Sequence, residues 1–171
     1  EGLGLDDGVW ECPDLFELAV EGKSYTKWVL LVSLNPGAPN GGSGTKYFIG
    51  DFDGAQFVPD NAKEVCWLDY GPDHYAGVTW SDIPKDDGRR IMIAWMSNWR
   101  YANEVPTSPW RGAMALPRAL SLVPTAQGLR LASPPIKELE SLRTGAPIVF
   151  SDLTIETPLQ LNFGQKFKSA V

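Results

Sequence analysis

The most distinctive chemistry in the chain lies in the segment Trp-Glu-Cys-Pro-Asp at residues 10–14. This segment places a carboxyl group, Glu11, between a bulky aromatic side chain and a thiol, directly before an apolar run that predicts a strand. Partial desolvation by such neighbours favours the protonated form of a carboxyl group, which is the form that a general acid needs. Glu11 is therefore a candidate general acid, and a solvated turn residue is the structural alternative.

Cysteine and histidine are too few for the other common site chemistries. The two cysteines, Cys12 and Cys66, allow at most one disulfide, and with the single His74 they form no metal-binding spacing. We therefore expect no metal site. A Ser-His-Asp triad would have to use His74, and the G-x-S-x-G turn that carries many hydrolytic serines does not occur.

A second candidate site lies where aromatic residues concentrate, between residues 95 and 110, with Asn and Arg side chains among them. Sugar rings present apolar C–H faces and many hydroxyl groups, so aromatic platforms edged by polar side chains suit carbohydrate recognition. Trp95 lies in an apolar run and is predicted to belong to the core. Trp99 follows that run among polar neighbours and is the better candidate for a ligand contact. Trp110 remains open between packing and binding.

The composition indicates a folded domain without nucleic-acid or membrane partners. Of 171 residues, 43% are hydrophobic and 21% are charged, which is enough apolar material for a core. The net charge of -6 would repel a phosphate backbone or an anionic lipid surface. The longest apolar run, residues 28–32, is far shorter than the roughly 18 residues that a membrane-spanning helix needs.

The spacing of 17 glycines and 14 prolines predicts an all-β fold, because the runs between them are short and rich in Val, Ile and aromatic residues. Two groups of four strands are expected, and Pro-Asp-Leu-Phe at 13–16 is echoed by Pro-Asp-His-Tyr at 72–75, about sixty residues later. This period is typical of β-propeller blades with long loops, and a β-sandwich is the alternative. The predicted strands cover residues 15–20, 28–33, 47–52, 56–58, 75–80, 91–97, 113–122 and 129–132.

A change of pattern after residue 132 indicates a domain boundary. Ser133 can cap a helix that Gly145 would end, with an apolar face between them. We expect three parts: propeller blades over 1–132, a linker with one short helix over 133–147, and the first strands of another domain over 148–171. The new strands are predicted at 148–150 and 159–163.

Five segments in a fixed order resemble the glycoside hydrolase family of invertases, inulinases and levanases, most nearly its microbial levanase and exo-inulinase branch. The resemblance implies a five-bladed β-propeller followed by a β-sandwich, of which the chain would hold the last two blades and the first sandwich strands. It covers residues 8–147, and the segments that carry it are 10–16, 42–54, 69–76, 95–101 and 109–118.

The resemblance also implies roles for individual residues. In that family the Glu of Glu-Cys-Pro, here Glu11, is the general acid/base of a retaining reaction that needs no cofactor or metal. Cys12 would tune or orient this carboxyl group, and Trp99 would line the fructose pocket. Asp73 would order the pocket through hydrogen bonds, with a purely structural role as the alternative. His74 stands where the family commonly has Phe.

Two family motifs are absent from the 171 residues: the Asn-Asp-Pro motif of the nucleophile and the Arg-Asp-Pro motif of the transition-state stabiliser. Asp14, Asp69 and Asp73 occupy other places in the pattern and do not replace them. We therefore expect a piece of a secreted or periplasmic fructan hydrolase that lacks the N-terminal blades of the same polypeptide. Alone, the piece should be inactive, marginally stable and prone to associate.

Two other functions remain open at this point. One is a non-catalytic carbohydrate-binding β domain that uses Trp99 and Trp110 as stacking platforms. The other is a degenerate family member that serves subunit contacts.

Overall fold

In the computed structural model, which describes residues 8–160, the chain divides after Ile136 into two compact units. Among the described residues the first unit contains the strands and the second contains one short 3₁₀ helix, Lys137–Leu142. The strands are β1 (Val9–Ala19), β2 (Thr26–Asn35), β3 (Gly44–Phe52), β4 (Phe57–Pro59), β5 (Cys66–Trp67), β6 (Tyr75–Thr79), β7 (Arg90–Trp95), β8 (Arg118–Thr125) and β9 (Gly128–Ala132).

The strands of the described region form two antiparallel sheets in succession along the chain. The first has the order β1-β2-β3-β4, with the two-residue strand β5 also paired to β3. The second has the order β6-β7-β8-β9. Apart from β5, which pairs with β3 and not with β4, consecutive strands are neighbours in both sheets, which confirms the predicted β class and the two groups of strands.

The two sheets share a hydrophobic core. Phe16 and Leu31 of the first sheet pack in one cluster with Met92 and Leu122 of the second, and each is at most 3% exposed. The sheets are also joined directly, because Val20 forms a parallel bridge with Leu122 and the following residue donates its N–H to the Leu122 carbonyl at 2.9 Å. The relative position of the two sheets is therefore fixed by packing and by backbone hydrogen bonds.

Strand β1 begins six residues earlier than predicted. Trp10 and Glu11 pair with Leu34 and Ser33 of β2, so Glu11 lies within a strand rather than before one. The apolar alternation on which the prediction depended is interrupted at Cys12 and Pro13, where the strand is irregular, and pairing with β2 continues beyond this interruption.

The predicted helix over 133–145 is shorter than expected, and it is a 3₁₀ helix. The physical reason is that Pro134 and Pro135 continue the sheet. The Pro134 carbonyl accepts the Ala119 N–H at 2.9 Å, and Pro135 forms a bridge with Arg118. Two residues engaged in strand pairing cannot supply the first helical turn.

The predicted strand at 148–150 is wrong for the described structure, in which those residues form no strand. A strand needs a partner for its backbone groups, and no described segment pairs with this one. Of the strand predicted at 159–163, residues 161–163 lie outside the described residues. No helix within residues 8–160 is long and apolar enough to cross a membrane.

The shared core predicts that alanine substitutions at two leucines change the free energy of unfolding by very different amounts. Leu122→Ala is expected to lower the free energy of unfolding by about 2–5 kcal/mol, because it removes a fully buried side chain that contacts both sheets. Leu116→Ala, at a position 51% exposed, is the control and should change it by less than about 0.5 kcal/mol. Urea unfolding followed by tryptophan fluorescence measures both; equal losses would contradict the shared core.

Candidate active site

A β-bulge in β1 sets the position of Glu11. Glu11 pairs with Ser33, but Asp14 pairs with Leu31, so β1 holds one extra residue between these pairs. Cys12 has a φ of +48°, and the next residue, Pro13, has no N–H to donate to the ladder. A bulge of this kind bends a strand and redirects a side chain, here the Glu11 carboxylate.

The Glu11 carboxylate is held by a tyrosine of the other sheet. The Tyr75 hydroxyl, at the start of β6, donates a hydrogen bond to Glu11 Oε2 at 2.5 Å. Burial raises the pKa of the Tyr75 phenol, and its hydrogen bond to Glu11 and the negative charge of that group raise it further. The phenol therefore keeps its proton and acts as a donor throughout the physiological pH range.

Both Glu11 and Cys12 are exposed, so the expectation of a partly desolvated carboxyl group is not met in this chain. Within the described residues β1 is the edge strand of its sheet, and its first five residues, 9–13, are exposed. Among the described residues, the Cys12 thiol makes no hydrogen bond to Glu11. A role for Cys12 in orienting Glu11 remains a prediction.

Aromatic rings continue from Tyr75 toward the surface. The Tyr75 and Trp95 ring centroids are 6.4 Å apart, and Trp95 meets the edge of Trp99 at 5.1 Å. Trp95 is partly buried between these rings, whereas Trp99 is 51% exposed. The structure thus brings Glu11 and Trp99 together through two intervening rings. Trp110 is 63% exposed, and no ring contact joins it to this row within residues 8–160.

Two neighbouring carboxylates have structural partners. Asp14 Oδ2 accepts the Thr79 N–H at 2.8 Å, a second bond between β1 and β6. Asp69 forms an ion pair with Arg118 at 3.1 Å and accepts a backbone N–H through its other oxygen. Both groups thus connect loops and strands in this part of the fold.

Asp73 and His74 lie at a cavity of about 300 Å³ whose lining does not include Glu11. Asp73 Oδ1 and both ring nitrogens of His74 are buried and have no hydrogen-bond partner among the described residues. Burial raises the pKa of the Asp73 carboxyl, and the charge of Asp69 adds to this shift. Burial lowers the pKa of His74 to about 4, with a further contribution from Arg118 and an opposing one from Asp69. At neutral pH the ring is therefore uncharged.

The sequence alone assigns no role to Tyr75, which begins a predicted strand and lies in one of the segments that carry the family resemblance. Its hydrogen-bond partner is 64 residues away in the sequence. The repeat matches Tyr75 to Phe16 and not to Glu11, so it gives no signal of this contact. No three His, Cys, Asp or Glu side chains converge on a possible metal site within residues 8–160.

The model of the glycosyl hydrolases family 32 N-terminal domain matches residues 3–135. The chain belongs to glycosyl hydrolases family 32. It is 54% identical to the levanase of Bacillus subtilis over 154 residues, which cover 89% of this chain and 23% of the levanase. It is 43% identical over 149 residues to the extracellular exo-inulinase of Aspergillus niger, covering 82% of this chain and 27% of that protein.

A solved structure extends the comparison of this family 32 chain to its fold. The crystal structure of exo-inulinase from Aspergillus awamori matches with a TM-score of 0.71 and 40% identity, covering 78% of this chain and 27% of that one. The chain thus spans about a quarter of the length of the relatives that it matches.

The buried His74 predicts a pH-dependent stability in this family 32 chain. Its pKa is lower in the folded state, about 4, than the ordinary 6.5, so folding opposes protonation. Stability from this group is fully present above pH 6.5 and falls by about 3 kcal/mol as the pH drops to 4.

The variant His74→Phe replaces the titrating ring by one that cannot gain a proton. Urea unfolding of both proteins at pH 7 and pH 4 should show a smaller acid-induced loss for the variant. Carboxylates such as Asp69 and Asp73 titrate in both proteins, so the difference between the two losses reports His74. Equal losses would contradict a neutral, buried His74.

Proposed function

We propose that the chain carries the general acid/base of a retaining glycoside hydrolase that releases fructose from fructans or sucrose, and that Glu11 is this group. The observation that carries the proposal is the hydrogen bond from Tyr75 to Glu11 Oε2. It fixes one carboxylate oxygen, whereas Oε1 of this exposed residue has no hydrogen bond to the other described residues. An exposed carboxyl group with one fixed and one open oxygen can exchange a proton with a bound substrate.

The reaction would use Glu11 twice. Protonated Glu11 first donates its proton to the glycosidic oxygen of the leaving group, while a carboxylate nucleophile attacks the fructosyl carbon. The resulting Glu11 carboxylate then takes a proton from the water that releases fructose. The nucleophile would lie in a region of the relatives' sequences that this chain does not cover. The double displacement requires no cofactor and no metal.

The substrate class rests on the aromatic surface and on the names of the relatives. Trp99 presents an exposed indole beside the row of rings that leads to Glu11, and such a face stacks on the C–H face of a sugar. A levanase and exo-inulinases are similar over most of the chain. We therefore propose fructose-containing oligosaccharides or polysaccharides as substrates, and an extracellular site of action because such polymers do not cross membranes.

Asp73 and Trp110 are proposed as further substrate contacts. The Asp73 carboxyl has a buried oxygen without a described partner, and a sugar hydroxyl is a suitable donor for it. Trp110 offers a second exposed indole. Cys12, next to Glu11 in the bulge, is proposed to orient that carboxyl group.

The acid/base assignment predicts a large loss of turnover in the full-length protein. Glu11→Gln should lower kcat by about 10²- to 10⁴-fold on fructans, because the amide can neither donate the proton to the leaving group nor accept one from water. The control is Glu21→Gln, an exposed acid for which we expect unchanged turnover. Steady-state kinetics measures both variants, and normal turnover of Glu11→Gln would rule out the assignment.

A second variant separates this role from a general structural defect. In Glu11→Ala, azide can enter the vacated space and attack the fructosyl-enzyme without base assistance. With a fructosyl donor whose leaving group departs without protonation, such as fructosyl fluoride, added azide should therefore restore turnover and yield fructosyl azide. Absence of this product, with a folded variant, would count against Glu11.

A non-catalytic carbohydrate-binding domain is the second candidate, since Trp99 and Trp110 are both exposed. The enzyme proposal predicts that Trp99→Ala raises KM about tenfold, which corresponds to the loss of one stacking contact of about 1.4 kcal/mol. A binding domain predicts instead that the isolated chain binds fructose oligomers and that Trp99→Ala and Trp110→Ala weaken this binding equally. Calorimetry with the chain and kinetics with the full-length protein distinguish the two functions.

A further inference from the structure

We propose that Asn98 is a positioning residue that fixes Trp99 as a preformed platform for the sugar. The inference rests on the proposed function of Trp99 as a substrate contact. Asn98 directly precedes Trp99 in the chain, and its side chain is fully buried, at 0% exposure. A buried amide must satisfy its donors and its acceptor, so the contacts of Asn98 define the local structure.

The Asn98 amide joins three loops. Its Nδ2 lies within hydrogen-bond distance of the carbonyl oxygens of Gly41 (3.3 Å), Ser43 (3.1 Å) and Pro72 (2.5 Å). Its Oδ1 accepts the N–H groups of Ser43 at 3.3 Å and Arg100 at 3.0 Å. The loop before β3, the loop before β6 and the turn after β7 therefore meet at one side chain.

Further hydrogen bonds hold the backbone directly before and after Trp99. The Trp99 N–H donates to Ser43 Oγ at 3.2 Å, and the next N–H, of Arg100, donates to Asn98 Oδ1. The Asn98 carbonyl accepts the N–H of Ala102 at 2.9 Å, which closes the turn. The indole is thus oriented through its main chain, and one side of it stays free for a ligand.

The surroundings of Asn98 leave little room for another arrangement. A Cβ atom on Gly42, which has a φ of +69°, would lie 2.1 Å from Asn98 Oδ1. Three carbonyl oxygens face Nδ2, so a carboxylate of the same shape would place negative charge against them. Asn98→Asp therefore keeps the size of the side chain, removes the donor and adds a charge that the three carbonyl oxygens disfavour.

The test uses the full-length protein with Asn98→Asp and with the matched control Asn103→Asp, an exposed asparagine in the same connection. We expect Asn98→Asp to raise KM at least about tenfold and to change kcat less than about threefold, because a misplaced platform weakens ground-state and transition-state binding alike. The control should match the wild type. In the Trp99→Ala background, Asn98→Asp should have no further effect on KM, because the two residues act as a unit.

A readout that does not require activity is the circular dichroism of the Trp95–Trp99 ring pair, whose centroids are 5.1 Å apart. Asn98→Asp should remove the same exciton signal that Trp99→Ala removes. Should the aspartate variant not fold, Ser43→Ala deletes only the hydroxyl that holds the Trp99 N–H and should reduce the signal and raise KM about threefold.

The outcomes separate the two proposals. An unchanged exciton signal in both variants, or additive effects of Asn98→Asp and Trp99→Ala on KM, would overturn the role of Asn98. A loss of melting temperature and of kcat with unchanged KM would show a merely structural residue and would also overturn it. If the wild type hydrolyses neither fructan nor sucrose, the proposed function fails, and the exciton signal still decides whether Asn98 positions Trp99.

Discussion

The alignment of β1 with β6 is the constraint on which the candidate site depends. Two hydrogen bonds cross between these strands, from Tyr75 to Glu11 and from Thr79 to Asp14. Both strands carry an irregular register at this level, between Glu11 and Asp14 and between Tyr75 and Val78. The shared core beneath fixes the distance between the sheets, so a slip of either strand by one residue would turn Glu11 or Tyr75 away from its partner.

The local geometry that presents Glu11 costs stability. Cys12, His74 and Ala76 have positive φ angles of 48°, 83° and 52°, and residues with side chains hold such conformations at a cost on the order of 1–3 kcal/mol each. The ring nitrogens of His74 add buried polar atoms without a described partner. These unfavourable features cluster at the starts of β1 and β6, and the core of the two sheets must offset them. The hydrophobic core of the two sheets thus holds the strained residues at the starts of β1 and β6 in place.

Local pattern predicted the strands well and the site only in part. Residues of β2, β3, β7 and β9 alternate or run apolar between glycine-rich turns, so their positions follow from the sequence. The two-residue strand β5 carries no pattern, and the true start of β1 depends on pairing with β2. The roles of Tyr75 and Asn98 depend on partners 64 and 55 residues away, which no local signal reveals. Glu11 is also exposed, although its sequence neighbours predicted a partly desolvated carboxyl group.

The chemistry of Tyr75 suits the role proposed for Glu11, in which the carboxyl group would lose and regain a proton in each turnover. A cationic partner would favour only the ionised form of a carboxyl group, whereas a phenol hydroxyl can donate to a carboxylate and accept from a protonated carboxyl group. The hydrogen bond at Glu11 Oε2 can therefore persist in both protonation states of the carboxyl group, because the Tyr75 hydroxyl can rotate from donor to acceptor. Because burial raises the pKa of the Tyr75 phenol, the tyrosine itself would not ionise during such an exchange. In the proposed role, this neutral, buried donor would orient Glu11 and leave the proton free to move between Glu11 and the substrate.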